Sequence, residues 1–329
     1  MNKIRTAVIG VGHLGRHHAR WYNSIKESEL VGVYDTDNAK CAAAADELGV
    51  TAFKSIEDIF GKVDAVSVVT PTTAHCEVTR QLLREKIHCL VEKPITATVE
   101  EANELIRCSA ENNVILTVGH IERFNPAVQA LKNCDIAPRF IEAHRLAAFD
   151  PRGTDVAVVL DLMIHDIDLA LHLVKSKVKR IEAAAVAVVS DTDDIANARL
   201  TFENGAVANL TASRISLHAM RKLRIFQKSG YYSLDLAAKQ ADIYRLAGGA
   251  DDIRAGMRIP LGKSGHTLLY SKIGNKDDDM LCAELSSFVN TVINGTSPEV
   301  TASEAAEALR VAIEIDRIGV NGVISDDIK

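Results

Sequence analysis

From residue 3 to residue 120, short apolar runs alternate with stretches whose apolar positions recur every three or four residues. The runs at 4–10, 30–35, 65–70, 88–92 and 114–119 read as strands, and the periodic stretches at 13–26, 38–48, 73–86 and 98–112 read as helices. That alternation predicts βαβ units and a parallel sheet. From residue 139 the period shortens to two, with strands expected at 139–147, 178–189, 196–203, 206–213, 221–228 and 230–236. Asn204-Gly205 supplies a hairpin signal between two of them, and the short spacing predicts a mainly antiparallel sheet. Residues 250–275, rich in Gly, Lys and Asp, read as a long loop. Two helices are expected at the end, 277–294 and 302–317, the second opened by a Thr301/Glu304 capping box. The pattern divides the chain into a domain at 1–121 and a domain at 122–329.

One helix interrupts the second pattern. Val158–Val174 is apolar almost all round, as a buried helix is. Its polar exceptions Asp161, His165, Asp168 and His172 fall at i, i+4, i+7 and i+11, one stripe along one face. A buried stripe of ionisable groups costs several kcal/mol unless it is paired or lines a polar cleft. Two readings stand at this point: a reactive face, or core polar groups satisfied internally with Asp161 as a helix cap.

The first βαβ unit carries Gly10-Val-Gly12-His13-Leu14-Gly15 between a strand and a helix, and Asp35 ends the next strand. In that context the glycines allow a tight turn, backbone approach to a pyrophosphate and close helix packing, which is the dinucleotide fingerprint of a Rossmann domain. The helix N-terminus offers its N–H groups to phosphates, and Asp35 suits the ribose hydroxyls. Asp35 and Asp37 together would repel a 2′-phosphate, so NAD is favoured over NADP. Val91-Glu92-Lys93-Pro94 closes a later strand. Ligands of open parallel sheets bind beyond the carboxyl ends of strands, which places Lys93 where it can reach the reacting end of the cofactor; an ordinary surface lysine before a turn is the alternative.

Bulk composition narrows the partners. The chain has 329 residues, net charge −6 and 47% hydrophobic residues, so two domains are the default. No basic block speaks for nucleic acid or an anionic membrane surface. No apolar run approaches the ~18 residues needed to span a bilayer, and no signal peptide pattern opens the chain. Six scattered cysteines without Cys-x-x-Cys spacing read as reduced thiols, and a cytoplasmic location is expected. His13, His17 and His18 share one helix but lack a third ligand of suitable type nearby, so no metal is expected.

Taken together, the glycine loop, Thr70-Pro71 with His75, Glu92-Lys93-Pro94, Gly119 through Phe124 and Asp161-x-x-x-His165 resemble the Gfo/Idh/MocA oxidoreductase family along the whole chain. The resemblance implies an α/β architecture: an N-terminal Rossmann domain with a parallel doubly wound sheet, then an α+β domain with an open, mainly antiparallel sheet whose outer face makes homodimers or homotetramers. It implies Lys93, Asp161 and His165 as catalytic residues. It also implies Gly10, Gly12, His13, Leu14, Gly15, Asp35, Thr70, Pro71, His75, Glu92 and Lys93 around NAD. Lys93 or His165 can be the formal base for oxidising a secondary alcohol, with the other assisting. One departure is Ala157-Val158-Val159, where many members carry a Gly-Gly pair.

The segment 120–126 with Ser213-Arg214 and Arg221-Lys222-Leu223-Arg224 is similar to the branch acting on nucleotide sugars such as UDP-N-acetylglucosamine. Arg123, Asn125, Arg214 and Arg221, with Lys93, Asp161 and His165, are accordingly expected to hold the substrate, and together with Lys222 and Arg224 the basic groups are expected to converge on its diphosphate, a solvated strand face being the alternative for them. The alternatives are a polyol or inositol dehydrogenase and a non-catalytic NAD-binding regulator on the same fold.

Overall fold

The computed structural model describes residues 3–150, 156–247, 256–262, 265–275 and 277–321. Its chain forms two compact units, Met1–Ile121 with Asp279–Leu309, and Glu122–Asp278 with Arg310–Lys329.

The first unit is built on β1 (Ile4–Ile9), β2 (Ser28–Tyr34), β3 (Thr51–Ala52), β4 (Ala65–Val68), β5 (His88–Glu92) and β6 (Leu116–Gly119). They form one sheet in the order β3-β2-β1-β4-β5-β6, every pair parallel. The order reverses between β1 and β4, the position where doubly wound sheets bind ligands. The helices α1 (His13–Ser24), α2 (Asn38–Leu48), α3 (Thr72–Arg84) and α4 (Val99–Asn112) connect the strands. Thr98 and Glu101 close a reciprocal capping box at the start of α4.

The second unit contains α5 (Pro126–Gln129) and α6 (Ile164–Val174), and the strands β7 (Phe140–Leu146), β8 (Val178–Val186), β9 (Ile195–Phe202), β10 (Val207–Ser213), β11 (Met220–Gln227), β12 (Gly230–Asp235), β13 (Gln240–Leu246), β14 (Met257–Pro260) and β15 (Thr267–Gly274). Nine strands make one sheet in the order β14-β15-β13-β12-β11-β7-β10-β9-β8. It is antiparallel except for the β7–β10 pair. Two of its strands, β14 and β15, lie in the stretch read as a loop. Met257-Arg-Ile-Pro260 and Thr267-Leu-Leu-Tyr270 are short apolar segments inside a Gly-, Lys- and Asp-rich stretch, and they form strands by pairing, β15 with β13 and β14 with β15.

Alternation separates the two faces of this sheet. Ile141, Ala143 and Arg145 of β7 are buried, as are Leu223 and Ile225 of β11 and Leu234 of β12. On the opposite face the register brings Phe140, Phe226, Tyr231, Tyr244 and Tyr270 side by side across five strands. Their ring centroids lie 5.6, 4.8, 5.5 and 5.0 Å apart in turn.

The last two helices, α7 (Met280–Asn294) and α8 (Ala302–Asn321), were expected to belong to the second domain. Instead α7 and the first part of α8 complete the first unit. The reason is the apolar face Leu281, Leu285, Phe288 and Val289, which enters the same core as Ala19, Tyr22 and Val33.

Candidate functional site

In the first unit the ligand surface is made of backbone. Gly10 adopts φ +89°, and a Cβ there would lie 2.4 Å from the Val69 carbonyl oxygen. A Cβ on Gly15 would lie 1.8 Å from the Gly10 carbonyl oxygen, so that glycine is required by packing. Gly12 is different. A Cβ there meets nothing within 4 Å among the described residues, so no packing contact demands its lack of a side chain. Gly12 is also the N-cap of α1 and satisfies none of its N–H groups with a side chain. Gly12, His13 and Leu14 are exposed beside it. Open backbone, free helix donors and a glycine with no internal reason fit a dinucleotide pyrophosphate.

Asp35, at the end of β2, accepts the Val11 N–H at 2.8 Å through one oxygen and the Asp37 N–H at 2.9 Å through the other. It therefore braces the glycine loop. Asp37 caps α2 through the Ala39 and Lys40 N–H groups. At the next strand ends, His75 is buried and both its ring nitrogens face carbonyl oxygens, of Pro94 and of Thr70, each at 2.9 Å. It ties the Thr70-Pro71 turn to the cis Lys93-Pro94 step.

Glu92 points away from a solvent-facing role. Its carboxylate meets His18 Nε2 at 3.1 Å and the Lys93 N–H at 3.2 Å. Gly119 leaves the room it occupies, since a Cβ there would be 2.8 Å from Glu92 Oε1. Burial alone would raise this carboxyl; the His18 and Lys93 interactions outweigh it and hold it below the usual range. Glu284 of α7 is the counterpart. It is buried, neither oxygen has a hydrogen-bond partner among the described residues, and burial together with the nearby Glu92 pushes its carboxyl well up. Lys93 itself is half-buried.

In the second unit the site is made of side chains. The helix expected at 158–174 begins with a π-helical turn, Val159–Met163, and becomes α6 at Ile164. Asp161 lies inside that wider turn, so it is not the cap of α6; π turns are uncommon and frequent at functional positions. Asp161 and His165 are half-buried. The remainder of the stripe is internal. Asp168 accepts Arg123 Nε at 2.6 Å and Nη2 at 2.8 Å, and Arg123 Nη1 also contacts His172 Nδ1. Asp166, off the stripe, accepts Arg145 Nε at 3.0 Å and Nη2 at 2.9 Å, and Arg145 Nη1 reaches Glu122 at 2.8 Å. Burial pushes Asp166 upward against the opposing pull of Arg145.

Of the six residues expected near a diphosphate, Arg123, Asn125, Arg214 and Arg221 fall into two groups. Arg123 is buried in its pair with Asp168. Asn125 is also buried, donates to Glu122 and to the Leu236 carbonyl, and caps α5. Arg214 is buried and holds a loop, donating to the carbonyls of Val156 at 2.7 Å and Asp193 at 2.6 Å and pairing with Asp194 at 3.3 Å. Arg221 alone is exposed, and it makes no ion pair among the described residues. It stands opposite Arg145 in the β7–β11 register, hence on the face that carries α6. Its neighbours Lys222 and Arg224 project to the other face, where they pair with Asp235 and Glu142. Arg145, Glu122 and Asp166 escaped the sequence reading. The signal for Arg145 was its inward position in the alternating strand Ile141-x-Ala143-x-Arg145.

Comparison with known proteins places this arrangement. Residues 4–120 match the NAD-binding Rossmann fold of the oxidoreductase family Gfo/Idh/MocA, and residues 139–233 match the C-terminal domain of the same family. The chain belongs to the Gfo/Idh/MocA family. Within it, the chain is 41% identical to UDP-N-acetylglucosamine 3-dehydrogenase of Acidithiobacillus ferrooxidans, over 89% of this chain and 90% of that one. A crystal structure of that enzyme superposes with a TM-score of 0.88, covering 96% of this chain and 97% of the other. A scyllo-inositol 2-dehydrogenase (NAD(+)) of Bacillus subtilis is 26% identical over 98% of this chain and 96% of its own. As a Gfo/Idh/MocA member the protein is a dehydrogenase using a nicotinamide dinucleotide. Among the described residues no helix is long and apolar enough to cross a membrane, and no group of three or more His, Cys, Asp or Glu is arranged to hold a metal ion.

Proposed function

We propose that the protein oxidises a ring hydroxyl of a UDP-sugar, with UDP-N-acetylglucosamine as the reference substrate and NAD as the acceptor. The observation that carries this reading is the 41% identity, over about nine tenths of both chains, to an enzyme of that activity. Lys93, Asp161 and His165 are the residues assigned to the chemistry. The bound nicotinamide supplies the hydride acceptor. His165 takes the proton of the hydroxyl, the Lys93 ammonium stabilises the alkoxide character that develops, and Asp161 orients the groups around them. Gly12 and the start of α1 receive the pyrophosphate, and Asp35 receives the adenosine ribose, which favours NAD over NADP.

Arg221 carries the diphosphate. It makes no ion pair among the described residues, whereas Arg123 and Arg214 are spent on internal partners, and a guanidinium–phosphate pair adds orientation as well as energy. Anchoring the nucleotide far from the reacting carbon lets remote binding serve the chemical step.

The assembly proposed is a homodimer or homotetramer through the outer face of the nine-stranded sheet. Next to the aromatic row there, the register sets Glu142, Arg224 and Asp242 in one polar row of mixed sign, which suits pairing with a second copy about a two-fold axis.

The test is formation of NADH from NAD, or of NADPH from NADP, with UDP-N-acetylglucosamine, free N-acetylglucosamine and myo-inositol as substrates. The expected result is turnover of the nucleotide sugar with NAD at least tenfold above every other combination. Preference for a free polyol would replace the substrate assignment by the inositol one.

A further inference from the structure

Two arginines grip α6 from different sides. Arg145, from the sheet, takes both oxygens of Asp166, and Arg123, from the segment preceding α5, takes both oxygens of Asp168. All four side chains are 4% exposed or less. Residues two apart on an α-helix project roughly 160° apart, so the two forks reach the helix from nearly opposite directions. His165 precedes Asp166 by one position and Asp168 by three, and its own direction falls between the two gripped ones.

Net stability is a poor explanation for this arrangement. Desolvating a buried ion pair costs about what the pair returns, and apolar residues of similar volume often do as well or better. What apolar packing does not supply is direction. Leu, Ile and Val side chains tolerate a small rotation of a helix about its axis, whereas a bidentate guanidinium–carboxylate pair has one geometry. The Glu122 carboxylate and the Nη1 contact to His172 extend the two grips without loosening either.

We infer that Arg145 and Arg123 are positioning residues that fix the rotational setting of α6 and thereby the direction in which His165 presents its imidazole. This rests on the assignment of His165 as the base. The pairs therefore matter to catalysis without touching substrate, and their removal has a signature that loss of stability does not have.

The experiment replaces the Arg145 grip by an apolar one, as the triple variant Arg145→Met, Asp166→Leu and Glu122→Gln, and weakens each grip separately with Arg145→Lys and Arg123→Lys. Tm, the NAD Kd, and kcat against pH are measured for each, beside His165→Ala. The triple variant is expected to keep its Tm and NAD Kd while kcat falls at least tenfold and the base limb of the kcat profile moves. The lysine variants should lose kcat in the same sense, because a lysine keeps the charge but not the fork. A folded triple variant with kcat within twofold of the parent, while His165→Ala is inactive, would overturn the clamp alone. Near-normal turnover in His165→Ala would overturn the base assignment and the inference built on it.

Discussion

The two units build their candidate site surfaces by opposite means. The first offers main chain: a glycine loop, a helix start without a side-chain cap, and carbonyl-to-histidine ties that hold its turns. The second offers side chains on a helix that is itself held by buried ion pairs. A backbone site is fixed by which residues are absent, since any Cβ fills it. A side-chain site is fixed by partners that lie elsewhere in the sequence. Cofactor binding and hydroxyl chemistry should accordingly fail independently.

The glycine loop gives the sharpest way to break that contrast. Gly12→Ala adds a methyl group that meets nothing within 4 Å among the described residues, so stability should fall by no more than about 1 kcal/mol, the cost of Ala at an N-cap. The NAD Kd should rise at least tenfold, about 1.4 kcal/mol. Gly15→Ala, whose methyl would collide with the Gly10 carbonyl, should lose stability as well as binding. Calorimetry and NAD titration of the two variants separate ligand space from packing space. Equal NAD affinity in Gly12→Ala would remove the backbone-site argument.

The same contrast explains what could be read in advance. Gly10, Gly12 and Gly15 announce a conformation that the local chain enforces, so the first sheet and its loop were legible. The strands β7 to β12 were legible by alternation. Arg123 and Arg214 were not legible as internal groups, because an arginine bound for a buried carboxylate and one bound for a phosphate look alike until the fold supplies Asp168 or Asp194. The strands β14 and β15 carry only short apolar segments inside a Gly-, Lys- and Asp-rich stretch, and pairing with a neighbour makes them strands. The return of α7 to the first unit follows from an apolar face whose destination periodicity does not encode.

A smaller effect probes the buried acid beside Glu92. Burial raises the Glu284 carboxyl in the folded protein, so the native state keeps a proton that the unfolded chain releases above about pH 4.3. Stability from this group is then full below that pH and is lost as pH rises towards the raised native value. Glu284→Gln needs no proton and escapes the loss. Its Tm advantage over the parent should be larger at about pH 7.5 than at about pH 4.5, with the sign checked by thermal melts in both buffers. An advantage that shrinks as pH rises would mean that Glu284 is ionised in the fold.

The most direct test of the separation between cofactor binding and hydroxyl chemistry is to measure NAD affinity and turnover on one preparation of Lys93→Ala and one of His165→Ala. Each should bind NAD within about threefold of the parent, while kcat with UDP-N-acetylglucosamine falls roughly a hundredfold or more, the scale of losing an acid–base or electrostatic group. Loss of NAD affinity in parallel with turnover, or turnover close to that of the parent in either variant, would contradict it.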